Sequence, residues 1–464
     1  MKKMWVALVL LALVIGGYLA FGQTKQQDAP PKASPEASPE ASPVKPAEKI
    51  SLSFWTYYGG WEDTIKAFND LHPEVAIKVT EVTYADQVEK YSEALASGSV
   101  PDIIMLDSAA FPSFGDSDKL ENLLDAPYNA GAYKAGFSQS LWDSNLSFDG
   151  KRLIGWPLSS SPKVTYYRED ILGKYGFPTD PDKLATYMED PDNWVKMNNT
   201  LQKKGVRLTQ WYGETINLFA SAQKTGLVNA NNQFAYNNDT FEQAIALTQR
   251  LKEHVPGVNI WEESGEEAVR EGKLAMVYLG IWGDSVLEQW APKTAGKWRQ
   301  TRLPLNLNGW ENSSVFLLPS GGKHKEMAWT FMNYVVTDHA KYGLGNAVPA
   351  YAPVLSKSSQ KPVPSAFLGG QIVYPLNVEL ASKMHERKYT ALDMDTQKLW
   401  NDQLAKGIEK GWKPKTILNQ AEKEINRRLA DLASKATTAP AAEAAGRAST
   451  DAASERASSA ATKP

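Results

Sequence analysis

SGEEAVREGKLAMVYLGIWGDSVLEQW, residues 264–290, decides how this chain reads. Ser264-Gly265-Glu266-Glu267 is a capping box, a hydroxyl followed three residues on by a carboxylate, so a helix is expected to begin there. Gly272 is the residue type that ends helices by taking a positive φ. Lys273 to Leu279, rich in Met, Val, Leu and Tyr, predicts a buried strand. Gly280-Ile281-Trp282-Gly283 is a tight turn carrying one indole between two glycines, and Ser285-Val286-Leu287-Glu288 is a second capping box. A strand end, an indole and a helix N-terminus together suit a polar small molecule. The same residues also fit a core tryptophan beside an ordinary strand–turn–helix.

Upstream, Ile50 to Trp55 alternates as a first strand and leads into the aromatic turn Tyr57-Tyr58-Gly59-Gly60-Trp61. Glu62 to Leu71 has helical spacing, Val75 to Val79 is the next strand, and Tyr84 to Ser97 is a helix closed by Gly98. Pro101-Asp102-Ile103-Ile104-Met105-Leu106 is a continuous apolar strand, as in a sheet covered on both faces. The order strand, helix, strand, helix, strand predicts an α/β class with a mainly parallel sheet. Ligands of such sheets sit beyond the carboxyl ends of strands, which nominates Trp55, Tyr57, Tyr58, Asp107 and Ser108. Trp55 also reads as a core residue, and Asp107 as a turn former or cap.

Downstream, Thr240 to His254 has amphipathic helical spacing, Trp298 to Leu303 and Ser314 to Leu318 read as strands, and Lys323 to Val336 as a helix. Pro414 to Leu432 reads as a final helix with Leu418, Ala421, Ile425, Leu429 and Leu432 on one face. From Lys435 onward the chain is Ala, Thr, Ser and Pro with scattered charge, a composition expected to be disordered.

The order of these motifs resembles the bacterial extracellular solute-binding proteins, family 1, the carbohydrate-binding receptors of ABC importers. The resemblance rests on Glu271-Gly272-Lys273, Ala275-Met276 and Gly280-Ile281-Trp282; on Phe68-Asn69 with Pro73 beyond; and on Pro101-Asp102-Ile103. It continues in Gly155-Trp156-Pro157, Tyr166-Tyr167-Arg168-Glu169-Asp170, Ala328 with Phe331, and Gly345-Asn346-Ala347-Val348-Pro349-Ala350-Tyr351. It covers about Ile50 to Leu432 and implies a two-lobed, periplasmic-binding-protein-like (type II) fold with interleaved lobes and a hinge cleft. Lobe 1 would be residues 50–156 completed by 310–345, and lobe 2 residues 157–309 completed by 346–434. The resemblance also places Trp282 against sugar and makes Tyr166, Asn346 and Tyr351 candidate contacts beside the crossings, with packing the competing reading for Tyr166.

A pyranose offers apolar C–H faces and a rim of hydroxyls, which flat aromatics and carboxylates complement. With 15 Trp and 19 Tyr, several beside glycine turns, the chain has the means. Trp55, Trp211 and Trp282 are the preferred stacking residues. Asp107, Asp284 and Glu62 are the preferred hydroxyl partners, although Asp284 also reads as a cap for the helix at Ser285.

Composition bounds the alternatives. A net charge of −3 gives no electrostatic case for nucleic acid. The absence of cysteine excludes disulfides, thiolate metal sites, Cys nucleophiles and a lipidated Cys anchor, the last being usual in Gram-positive members of the family. Five His without a His-x-x-x-His pair argue against zinc, and no metal or cofactor is expected. Lys2 and Lys3 precede an uncharged run from Trp5 to Gly22, an export signal on the border of a spanning helix of ~20 residues. Residues 23–49 form a Pro/Ala/Ser/Glu-rich spacer whose reach favours an uncleaved anchor over cleavage after Ala20-Phe21-Gly22. The expectation is an exported monomer on the outer face of the cell membrane that binds a carbohydrate, presents it to a permease, and makes or breaks no bond. A surface sensor or scaffold is the second reading. A glycan-active enzyme, which would need a carboxylate pair such as Glu62 and Glu311, is the third.

Overall fold

In the computed structural model the described residues are 49–211, 213–251, 256–342, 347–356 and 362–434. The export segment, the spacer up to residue 48, the C-terminal tail, Tyr212 and Asn346 lie outside them.

Seven strands, β1 (Ile50–Thr56), β2 (Val75–Glu81), β3 (Ile103–Asp107), β4 (Gly155–Arg168), β5 (Met276–Gly280), β6 (Trp298–Thr301) and β7 (Trp310–Leu317), run in the spatial order β2-β1-β3-β7-β4-β5, with β6 also on β4. Between β1 and β4 lie α1 (Glu62–Leu71), α2 (Gln87–Ser97) and α3 (Gln139–Ser144). Between β4 and β5 lie α4 (Glu169–Lys174), α5 (Pro181–Glu189), α6 (Pro191–Gln202), α7 (Glu214–Ser221), α8 (Asp239–Arg250) and α9 (Glu263–Arg270). After β5 come α10 (Gly283–Trp290), α11 (Lys325–Thr337), α12 (Ala352–Leu355), α13 (Tyr374–Lys383), α14 (Leu392–Glu409) and α15 (414–434).

The class is α/β as expected, but the sheet is not mainly parallel. Only β1–β2 and β1–β3 are parallel; β3–β7, β4–β7, β4–β5 and β4–β6 are antiparallel. The strand–helix–strand units at the start dictate parallel pairing. The later strands belong to a chain that leaves the first core and comes back, and the return reverses direction. β4 is the strand that leaves. Its residues Gly155–Pro162 pair with β7, whereas Lys163–Arg168 lie between β5 and β6.

Each half of β4 serves its own hydrophobic core. Phe54, Phe68, Trp156, Phe316 and Phe331 fill one, and on the other face of the same strands Tyr91, Ile104, Phe114 and Leu317 fill a second. Val164, Val277, Leu287 and Trp298 belong to a third, and Tyr167, Trp194, Met276 and Tyr278 to a fourth. Helices α8, α14 and α15 close a fifth around Phe241, Trp400 and Ile425. A further segment runs beside β4 at the changeover: Ser160 N donates to Val348 O at 3.3 Å and Ala350 N to Leu158 O at 3.0 Å. Three stretches of chain thus lie side by side where one pair of cores ends and the other begins.

Both capping boxes are corrected. α9 starts at Glu263 with Glu262 at its N-cap, and α10 starts at Gly283 with Trp282 there, neither with a side-chain cap. Ser264 and Ser285 lie inside the helices, and in the first turn of α10 Asp284 Oδ1 accepts from Ser285 N at 2.9 Å. Gly272 does take a positive φ, +70°, just after α9.

Asp102 explains why an acid precedes β3. Its buried carboxylate accepts from Ser53 N and Ser53 Oγ, both at 2.8 Å, and from Lys323 N and His324 N at 3.0 and 3.2 Å. One side chain therefore fixes β1 to the approach to α11. Burial alone would raise its pKa, but these four bonds outweigh burial and hold it below the usual carboxylate value. A depressed folded pKa contributes stability above the unfolded pKa, and that stability is lost as pH falls through the folded one. Asp102→Asn is expected to cost about 1–3 kcal/mol at neutral pH and to flatten the acid limb of the stability curve, read by urea unfolding across the acid range.

Candidate functional site

Elements of both halves meet at the carboxyl ends of β1 and β3. Asp107 closes β3 and is 1% exposed. Its Oδ1 accepts from Ala109 N at 2.8 Å, so it forms the turn that the sequence allowed. Its Oδ2 accepts from Asn312 Nδ2 at 2.6 Å, and Asn312 Oδ1 accepts from Trp282 Nε1 at 3.0 Å. Asn312 lies on β7 at its β4-paired end, so one amide joins the end of β3 to the turn after β5. Burial first, then the nearby charge of Glu311, raises the Asp107 pKa against its hydrogen bonds.

The aromatic loop after β1 completes this side. The Tyr57 hydroxyl is 2.7 Å from Ser314 Oγ, and its ring meets Tyr58 edge-on at 4.8 Å and Tyr84 at 6.0 Å. Tyr58 stacks on Trp61 at 5.5 Å. Burial pushes the Tyr58 hydroxyl up to about 12 and raises Tyr57 well above its usual value, so both are neutral hydrogen-bonding groups. Tyr84 is exposed, its ring beside that of Tyr57.

Opposite, the glycines around Trp282 are there for space. A Cβ on Gly280 would lie 2.4 Å from Trp282 Nε1 and 2.5 Å from Ser161 Oγ; one on Gly283 would lie 2.6 Å from the Tyr166 ring. The turn thus folds flat onto β4, leaving Trp282 half-buried beside Trp261 and Trp290. Trp211, 38% exposed, lies over Gly213, whose missing side chain makes room for the indole. Lys163 on β4 pairs with Glu311 on β7, and both lie close to the buried Glu214.

The remaining sequence candidates fall elsewhere. Tyr166 is wholly buried and its hydroxyl donates to Gly280 O at 3.1 Å, so it supports the turn from beneath and offers a ligand no surface. Tyr351 packs on Gly136 and Phe137 at the edge of the first core. Asp284 is buried and serves the start of α10. Trp55 packs beside Tyr91 on the other face of β1. Ser108 extends the β3–β7 ladder through Ser313, and Glu62 is exposed in the first turn of α1. Asn312, Ser314, Tyr84, Lys163 and Trp261 were missed. The polar run Glu311-Asn312-Ser313 hid the first half of β7, and nothing in the pattern around Trp261 marks it as exposed.

The sequence profile of the bacterial extracellular solute-binding proteins matches residues 63–366, and the chain belongs to that family. Its fold is similar to a crystal structure described as extracellular solute-binding protein family 1, at 18% identity and TM-score 0.68, covering 82% of this chain and 100% of that one. It is similar at 17% identity and TM-score 0.62 to the galacto-N-biose/lacto-N-biose I-binding protein of a Bifidobacterium longum ABC transporter, covering 83% and 99% of the two chains. The sugar-binding protein MalE of Xanthomonas citri matches at 17% identity and TM-score 0.60, covering 82% and 98%. The protein is accordingly an exported solute-binding protein of the two-lobed periplasmic-binding-protein class.

Glu214 gives this junction a pH signature. Burial raises its pKa from 4.5 to about 7, against hydrogen bonds from Gln210 and the Lys163 charge. The folded state therefore holds this proton more tightly than the unfolded one, and its contribution to stability falls as pH rises from 4.5 to about 7. Glu214→Gln is expected to remove a decline on the order of 3 kcal/mol across that window, measured by urea unfolding of both proteins at several pH values.

Proposed function

We propose that this protein is the receptor of an ABC importer for a carbohydrate, which it holds between two lobes by aromatic stacking and hydroxyl hydrogen bonds. The observation that carries the reading is the chain Trp282–Asn312–Asp107, with the Tyr57 hydroxyl on Ser314 alongside. It brings an indole, a phenol and an amide to one junction, an apolar face with neutral hydrogen-bonding groups beside it, as a sugar ring needs. The relatives of similar fold named for sugars support the same class of ligand.

In this reading lobe 1 is residues 50–156 with 310–345, and lobe 2 is residues 157–309 with 346–434. Trp282 stacks on a sugar face from lobe 2. Tyr57, Tyr58 and Asn312 take hydroxyls from the lobe 1 side, the buried Asp107 holds Asn312 in place, and Trp211 borders the opening. Ser108, Trp55 and Glu62 flank that set. The lobes close by bending where β4, β7 and residues 347–351 run together, and the closed form is presented to a membrane permease. The protein acts as a monomer and catalyses nothing. The apolar segment 5–22 holds it to the membrane and the 23–49 spacer lets it reach the permease.

Titration calorimetry against a panel of neutral mono- and oligosaccharides tests the reading. At least one is expected to bind, and Trp282→Ala is expected to weaken it about tenfold or more while the protein stays folded by circular dichroism. No saccharide bound by the wild-type protein would overturn the reading, as would unchanged affinity in the Trp282 variant.

A further inference from the structure

Glu386, on the segment between α13 and α14, is 4% exposed, and among the described residues no lysine, arginine or histidine pairs with it. The adjacent Arg387 is engaged elsewhere, donating to Ala220 O at 2.7 Å and to Tyr389 Oη at 3.3 Å. Hydroxyls hold the Glu386 carboxylate instead. Its Oε1 accepts from Ser160 Oγ at 2.9 Å, and its Oε2 accepts from Ser138 Oγ at 3.0 Å and from Ser140 Oγ. Glu386 N donates in turn to Ser140 Oγ at 3.3 Å.

The two ends of this contact belong to different cores. Phe137, Leu141 and Trp142, around the two α3 serines, pack with Trp156 and Phe316. The Glu386 segment is instead fixed to the chain after α7: Lys388 N donates to Lys224 O at 3.0 Å and Gly226 N to Lys388 O at 3.2 Å. Leu227 and Val228, which follow, lie in the core closed by α8, α14 and α15. The contact is therefore made by side chains, outside the three backbone stretches that run together at the changeover. The same two walls meet again nearby. Ser113 Oγ is 3.9 Å from Met394 Sδ on α14. Between Ser108, Phe111 and Phe148 on one wall and Arg387, Lys388 and Tyr389 on the other, a cavity of about 10 Å³ remains, space for a single water.

A carboxylate taken out of water without a cation beside it depends on its hydrogen-bond donors. Two of the three hydroxyls on Glu386 come from the opposite wall, so the carboxylate is satisfied while the walls touch. Parting them replaces those two bonds by water, and the net gain of a charged hydrogen bond over water is modest. A contact of that strength biases an equilibrium between two arrangements without locking it. Asp102 differs: its donors, Ser53, Lys323 and His324, lie around a single core, so no opening of the molecule separates them.

We propose that Glu386 is a positioning residue for binding, a latch that closes on Ser138 and Ser140, populates the closed form of the ligand-free protein, and sets affinity without touching the ligand. This inference rests on the two-lobe reading above, not on the ligand's being a carbohydrate. A ligand that binds the closed form has its apparent dissociation constant divided by the closed fraction, so whatever lowers that fraction weakens every ligand by one common factor.

Single-molecule energy transfer tests it. The chain has no cysteine, and Lys90→Cys on α2 with Lys196→Cys on α6, both exposed and on helices of different cores, can carry the two dyes. Ligand-free protein with native Glu386 is expected to show two populations. Glu386→Ala and Ser140→Ala are each expected to lower the closed one about fivefold, and the double variant to lower it little further, because both remove one shared contact. Calorimetry is expected to show the dissociation constant of every saccharide that binds rising by that same factor of about five. A single ligand-free population, populations unchanged in either variant whatever its melting temperature, additive effects in the double variant, or a loss that differs between saccharides overturns the inference. If no saccharide binds, the carbohydrate reading falls, and the latch stands or falls on the ligand-free populations alone.

Discussion

The backbone ladder of β4 is the constraint on which the rest depends. Its fourteen residues are hydrogen-bonded to β7 over the first half and to β5 and β6 over the second. A strand with partners at both ends cannot slip in register without turning every side chain to the other face. Trp156 and Tyr166, each wholly buried on a different half, would both be expelled by such a slip. The two sets of cores are thus tied together at a fixed register, while the bulged stretch near Ser159 and Ser161 is where the strand changes partners. Polar side chains gather at this changeover. Ser160 Oγ donates to Glu386 Oε1 at 2.9 Å and receives from Ser313 Oγ at 3.2 Å, and Glu386 also takes the Ser138 and Ser140 hydroxyls from the start of α3.

From this constraint the site follows. Because β7 lies between β3 and β4, a residue at its polar end touches what comes after β3 and what comes after β5. Asn312 does both, and an amide can donate on one side while accepting on the other. The tyrosines after β1, like any phenol, are neutral at physiological pH, and burial raises their pKa further, so they offer hydroxyls without charge. In the proposed reading, a junction built from indole, phenol and amide suits hydroxyl-rich solutes of low charge.

Much of this was legible in the sequence, and what was not has physical reasons. α1 was read to its last residue, because Ile65, Phe68 and Leu71 leave helical spacing and the aromatic loop and His72-Pro73 bound it. Gly98 and Gly272 stand with positive φ just after α2 and α9 as their residue type implied. The parallel bias of the first three strands was extended too far, because nothing local in β4 or β7 announces that the chain is returning from elsewhere. The start of β7 was hidden for a related reason: a strand at a junction carries polar groups where a core strand carries apolar ones. Tyr166 and Tyr351 illustrate the limit for sites. The family resemblance nominated both, yet which face of its segment each occupies is set by pairing and packing, which put Tyr166 beneath Gly280 and Tyr351 over Gly136. Trp261 needed the fold outright, since exposure of a single indole is a tertiary property.

The claim that two lobes close on a solute is most directly tested by the distance between them. The chain has no cysteine, so Glu93→Cys on α2 and Lys183→Cys on α5 can carry the only two spin labels. Both residues are exposed, on helices that cover different cores. Pulsed dipolar spectroscopy on the doubly labelled protein, with and without the tightest-binding saccharide, is predicted to show the distance distribution move to a new, narrower maximum on saturation. The same distribution with and without a saccharide that calorimetry shows to be bound would contradict the account.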